Sequence, residues 1–168
     1  MFNVNDMIIY GARGVCEIVE ITEKDFNDGK EMTYYVLRPA YDNKATIFVP
    51  VGNETLTSKM RSVLSSDEIY DMIKSMPDED TIWIENDNLR KEKYREILAK
   101  GSRTDIIKLI KTLYIHEQDR KENGKKLSMS DERFMKAAEK ILYDEFAVVL
   151  DIEPEEVLSF IHEQIHKN

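Results

Sequence analysis

Met7-Ile8-Ile9-Tyr10-Gly11-Ala12-Arg13-Gly14-Val15-Cys16-Glu17-Ile18-Val19-Glu20-Ile21 carries two short runs of β-branched and apolar residues, separated by a bend with glycine at both ends. Simple alternation along the second run puts Val15, Glu17, Val19 and Ile21 on one face and Cys16, Ile18 and Glu20 on the other. Both faces are too apolar for an exposed sheet, which predicts closure into a small barrel without free edges. Working outward, the strands expected are Asp6 to Tyr10, Val15 to Glu23, Met32 to Pro39 and Ala45 to Pro50. Asn27-Asp28-Gly29 supplies a hairpin turn, and Asp42-Asn43 a second.

From Ser65 onward the apolar period lengthens from 2 toward 3.6, beginning with Asp67-Glu68-Ile69-Tyr70-Asp71-Met72-Ile73 and stopped by Pro77. An acidic connector over 77–88 follows, holding the single tryptophan, Trp83, between two isoleucines. A second helix is expected from Asn88 to Lys100, with Gly101 as its stop. Ser102 with Asp105 resembles a capping box for a third, whose Ile106, Leu109, Ile110 and Leu113 form a core stripe. Ser128 or Ser130 caps a fourth that buries Phe134, Ala138, Ile141, Leu142 and Val149. The last starts at Pro154, with Val157, Leu158, Ile161 and Ile165 facing inward. The expectation is an α+β chain: a small antiparallel β-barrel over 1–60 and an all-α bundle over 61–168.

With 168 residues, one cysteine and 42% hydrophobic residues, the chain has the composition of an ordinary folded protein and is too short for a large multidomain enzyme. The opening residues lack a basic segment and a signal core, and no run approaches the ~20 apolar residues of a membrane span. A cytosolic location is expected, with no membrane partner. Cys16 reads as a small core residue of a strand, since it has no partner for a bridge.

His162-Glu163-Gln164-Ile165-His166 matches the H-E-x-x-H pattern of zinc hydrolases, in which two histidines one turn apart hold the metal and the glutamate activates its water. Only Lys167 and Asn168 follow, leaving no downstream third ligand, so neither a metal nor an enzyme is expected. His116 reads as a boundary residue. Gly11-Ala12-Arg13-Gly14 is too short for a phosphate-binding fingerprint and opens a strand. Asp78-Glu79-Asp80 reads as a water-facing acidic run, and no nucleophile stands in a recognisable setting. No cofactor is expected.

Charge is more informative by block than in total. The chain carries a net −9, yet residues 88–126 hold 12 basic and 6 acidic groups. Arg90, Lys91, Lys93 and Arg95 fall within about a turn and a half of helix, where several could reach phosphates together. Lys121, Lys125 and Lys126 follow in a loop, and Trp83 could stack on unpaired bases or wedge into strained ones. Equally open is a reading in which Ile82, Trp83 and Ile84 pack the connector on the bundle and the cations pair with Glu92 and Glu96.

The pattern Phe2-x-x-Asn5-Asp6-Met7-Ile8-Ile9-Tyr10, Gly14-Val15, Ile18-x-x-Ile21, Gly29, Tyr34-Tyr35-Val36-Leu37 and Val49-Pro50 resembles the CarD family of bacterial transcription regulators. Leu56 to Val63, Leu98-Ala99-Lys100-Gly101, Leu127-Ser128, Leu142, Glu145 and Phe146 extend the similarity over nearly the whole chain. The resemblance implies a Tudor-like barrel, shared with the transcription-repair coupling factor, that docks by a strand edge on the β subunit of RNA polymerase. It also implies a helical domain that touches promoter DNA at the upstream edge of the melted bubble, with a tryptophan wedged in the minor groove. A non-enzymatic monomer that stabilises the open complex is the corresponding expectation.

Carried onto this chain, the polymerase contacts implied are Lys24, which keeps a basic charge, and the edge Thr46, Ile47, Phe48 and Val49. Phe48 stands where the family has a second basic contact, shifting the docking toward apolar packing and edge pairing. The DNA contacts implied are Trp83 as wedge, with Arg90, Lys91, Arg95, Lys125 and Arg133 on phosphates. Here too the chain departs from the family pattern: the tryptophan position of other members holds Asp87, one turn later, and Glu132 stands where a lysine would help. A rival from another class is an adaptor that docks on polymerase without touching DNA.

Overall fold

The computed structural model describes residues 1–42, 44–100 and 102–167, with Ala12 described by its backbone alone. The Asn43 half of the second expected turn and the Gly101 helix stop lie outside the described residues. The chain divides into two units, the first ending at Val63 and the second beginning at Leu64.

The first unit is a five-stranded antiparallel sheet in the order β4-β3-β2-β1-β5. Its strands are β1 (Met7–Tyr10), β2 (Val15–Lys24), β3 (Met32–Pro39), β4 (Ile47–Pro50) and β5 (Met60–Ser62). The β2–β3 hairpin turns through Asn27 and Gly29, at φ 72° and 79°, the left-handed region that Gly and Asn tolerate best. A short helix, α1 (Glu54–Thr57), capped by the Asn53 side chain, lies between β4 and β5. The core on one face is Ile8, Cys16, Ile18, Tyr35, Leu37, Val49 and Met60. Burial pushes the Cys16 thiol up to about 11, consistent with an inert core residue.

Closure into a barrel, expected from β2, is not what the sheet does. It is open, with β4 and β5 as its two edges. A bulge also interrupts the alternation on which that expectation rested, because the register shifts between Ile18 and Glu20. Cys16 pairs with Pro39 and Ile18 with Leu37, but beyond the bulge Glu20 pairs with Val36 and Ile21 with Tyr35. Ile21 therefore joins the face of Cys16 and Ile18. Glu20, Thr22 and Lys24 share the other face with Val36 and Tyr34.

The second unit is helical: α2 (Ser66–Ser75), α3 (Asp87–Lys100), α4 (Arg103–Glu122), α5 (Met129–Leu150) and α6 (Val157–His166), with 3-10 turns at Met76–Asp78 and Pro154–Glu156. Ser65 and Glu68 form a reciprocal capping box at the start of α2. The box expected at Ser102 is absent, since its side chain makes no capping bond. Ser128 does cap α5, accepting from the Asp131 N–H at 3.2 Å. Gly124, at φ 70°, ends α4: its N–H and that of Lys125 return to the carbonyls of Lys121 and Arg120. The core gathers Ile69, Ile73, Tyr94, Ile97, Ile106, Leu109, Leu113, Ala138, Leu142, Phe146, Val157 and Ile161. Leu158, expected inside, is exposed. No helix among the described residues is long and apolar enough to cross a membrane.

Two buried acids of α5 tie this unit together. Glu145, 3% exposed, accepts from Arg103 Nε and Nη2 at 2.8 and 2.7 Å and from the Leu64 N–H at 2.9 Å. Asp131, 2% exposed, holds Arg90 of α3.

Candidate functional site

The Arg90 guanidinium is the hinge around which the residues of the helical unit's site assemble. Its Nε and Nη2 donate to the Asp131 carboxylate at 3.1 and 3.3 Å, Nη2 also to Asp87, and Nη1 to the Ile84 and Glu85 carbonyls at 2.9 and 3.4 Å. These contacts match the donor capacity of the guanidinium, and Arg90 is 4% exposed. Arg90 is thus a buried clasp rather than a phosphate contact. Its neighbours Tyr94 and Ile97 are the other buried residues of α3, so position 90 lies on the inward face. Sequence proximity to Lys91, Lys93 and Arg95 concealed that difference.

Through this clasp, three segments meet: the connector bearing Trp83, the first turn of α3 and the first turn of α5. Trp83 is half-buried; His116 of α4 stacks on it at 3.8 Å between ring centroids, and the Arg90 guanidinium lies 4.5 Å from its ring centre. Its indole N–H donates to Glu85 Oε1 at 3.0 Å. The connector is anchored further back by α4. Thr112 Oγ1 accepts the Ile82 N–H at 2.9 Å, and Lys111 Nζ donates to the carbonyls of Met76, Pro77 and Glu79 at 3.2, 2.7 and 2.6 Å. Lys111, Thr112, His116 and Asp131 were not legible as site residues. Their signal is an ordinary helix pattern, and only the fold gives them partners.

Of the remaining cations, Arg95, Lys125 and Arg133 are exposed. Lys91 is half-buried, 3.9 Å from Asp87 Oδ2. Lys91 and Arg95 stand four residues apart and share a helix stripe. Lys93 falls on the other flank of α3 together with Leu89, an exposed apolar side chain at 57% that sequence reasoning passed over. Lys125 sits in the loop before the α5 cap, and Arg133 follows Asp131 by two residues. Glu132 is paired to Lys136 at 3.1 Å. The pairing with Glu96 falls to Lys100, at 2.8 Å, which holds the Glu96 carboxyl below its usual range.

In the sheet unit, Lys24 and Phe48 come together. Lys24 Nζ lies 4.8 Å from the Phe48 ring centre and 5.2 Å from that of Phe26. Phe26, Tyr34 and Phe48 pack edge to face at centroid distances of 5.1, 5.2 and 6.2 Å. Phe26 and Tyr34 were missed, because Phe26 belongs to the turn after β2 and meets the others only in the hairpin. β4 is the sheet edge beside this patch. The Val51 N–H donates to the Thr33 carbonyl at 2.9 Å and Val36 faces Phe48, so alternation turns the Phe48 N–H and C=O away from β3. Thr46 lies exposed just before β4. Ile47 and Val49 point into the core instead, Val49 at 1% exposure.

The rings of His162 and His166 lie 6.3 Å apart, and Tyr114 packs 6.1 Å from His162. Among the described residues, no group of three or more His, Cys, Asp or Glu is placed to hold a metal ion.

Comparison with known families matches residues 2–64 to the model described as CarD-like/TRCF RID domain and residues 68–162 to the one described as CarD, C-terminal domain. A search of the curated proteins found no match.

Proposed function

Because the chain belongs to the CarD-like family, whose members are RNA polymerase-interacting transcription regulators, we propose that it docks on the polymerase β subunit through the sheet and contacts promoter DNA at the upstream edge of the bubble through the helical unit. Binding the open state better than the closed one then shifts the population toward open complexes. The observation that carries the DNA half is the Arg90–Asp131 clasp, which gathers Trp83, the Lys91–Arg95 stripe and the first turn of α5 bearing Arg133. Lys91, Arg95, Lys125 and Arg133 take phosphates, and Arg90 holds the surface in shape. Trp83 is the wedge, and Leu89 the second apolar side chain able to enter between bases. For docking, Lys24, Phe26, Tyr34 and Phe48 supply the contact surface, and the β4 edge from Thr46 supplies strand pairing. Ile47 and Val49 support that edge from the core. The protein acts as a monomer in the cytoplasm.

An adaptor that docks without touching DNA is favoured by one observation: Arg90 and Trp83 are both engaged internally. The lifetime of promoter open complexes under competitor challenge separates the two readings. The protein is expected to lengthen it, Arg95→Glu/Arg133→Glu to abolish most of the gain, and Trp83→Ala or Leu89→Ala to identify the wedge. An unchanged lifetime, with polymerase binding confirmed in the same preparation, would leave the adaptor standing.

A further inference from the structure

Away from the clasp, helices α4, α5 and α6 and the turn at Met76–Pro77 line a partly open cavity of about 360 Å³. Its volume falls within the ~300–1,000 Å³ typical of small-molecule sites. The walls are apolar, chiefly Ile107, Ile110, Leu142, Ile161 and Ile165. Glu139 of α5, itself half-buried, is the carboxylate of this lining, which also includes His162 and His166 of α6. It makes no hydrogen bond or ion pair with any described residue.

The nearest cations make their hydrogen bonds and ion pairs with other groups, and Lys136 acts on Glu139 only through its charge. Lys136 pairs with Glu132 at 3.1 Å and Lys140 with Asp144 at 2.8 Å. Lys111, which also lines the cavity, donates to the three carbonyls of the connector. Burial and the nearby Glu117 carboxylate raise the Glu139 carboxyl above its usual range, against the opposing charge of Lys136. An unpaired carboxylate in an apolar wall is costly unless a cation meets it. The rings of Tyr114 and Tyr143, also in the lining, offer faces to a cation.

We propose that this cavity binds a small organic monocation, its alkyl or aryl body against the isoleucines and its ammonium or amidinium group on Glu139. A neutral amphiphile gains only the apolar contact, and an anionic head placed on Glu139 is repelled. The proposal is independent of the polymerase and DNA reading.

Three probes with one body and different heads test it: n-octylammonium, 1-octanol and octanoate, titrated at pH 7.5 into the full chain by calorimetry, with isoleucine methyl shifts to locate binding. Octylammonium is expected to bind at one site, about tenfold more tightly than octanol, with octanoate weakest. Glu139→Gln should erase the ammonium preference while leaving octanol binding unchanged. Leu158→Trp, at the exposed rim of the lining, should weaken both without touching the core. Equal binding of the three probes, no binding at all, or a preference that survives Glu139→Gln would overturn the proposal.

Discussion

Arg90 and Asp131 are 5% and 2% exposed at the side chain, and a buried pair of this kind matters chiefly through what remains when one partner is lost. Asp131→Ala leaves a guanidinium in the core with only Asp87 and two carbonyls as partners. It is expected to cost about 3 kcal/mol in urea unfolding. Tyr94, a few residues along α3, presents the opposite case. Its hydroxyl is buried without a hydrogen-bond partner among the described residues, and burial with the Asp131 charge pushes its ionisation up to about 12. Tyr94→Phe removes that unpaired group and keeps the edge contact with Phe134, so a stabilisation of about 1 kcal/mol is expected in the same assay.

At the scale of elements, the α2 capping box couples stability to pH. Hydrogen bonds from the Ser65 backbone and side chain hold the exposed Glu68 carboxyl below its usual range. A carboxyl depressed in the folded state contributes stability above its unfolded pKa, and loses it as pH falls through the folded value. Ser65→Ala should therefore raise the Glu68 titration midpoint, followed by carboxyl NMR shifts. The β4 edge supports a second test. The Phe48 N–H points away from β3, so Phe48→Pro removes an outward donor while sparing the ladder, whereas Phe48→Ala removes only the ring. If polymerase docks by strand addition, Phe48→Pro should weaken binding about fivefold more than Phe48→Ala, roughly the worth of one hydrogen bond. Equal losses would indicate docking by the aromatic face alone.

For the whole molecule, a net charge of −9 argues against tight binding to duplex DNA without polymerase. If Lys91, Arg95, Lys125 and Arg133 are the phosphate contacts, log K for free DNA should fall with log salt at a slope of about −4, and at about −2 in Arg95→Glu/Arg133→Glu. Most of the working affinity would then come from tethering through polymerase, which raises the local DNA concentration.

Local chemistry was enough to determine the class. Strand runs broken by Gly29 and Gly14, a period that lengthens after Ser65, and the Ser128 cap are all written in neighbouring residues, as is the family pattern matched over both units. Openness of the sheet was not legible, because the bulge after Ile18 depends on pairing with β3 and leaves no mark on β2 alone. Nor was β5: Met60-Arg61-Ser62 has little strand propensity and becomes a strand by pairing with β1. Lys91 and Arg95 could be recognised as one stripe from spacing. That Arg90 turns inward to meet Asp131, 41 residues later in the chain, is a matter of helix packing. Side-chain periodicity is local and can be read along the chain, whereas the partner of a buried charge comes from another element and is decided only when the elements meet.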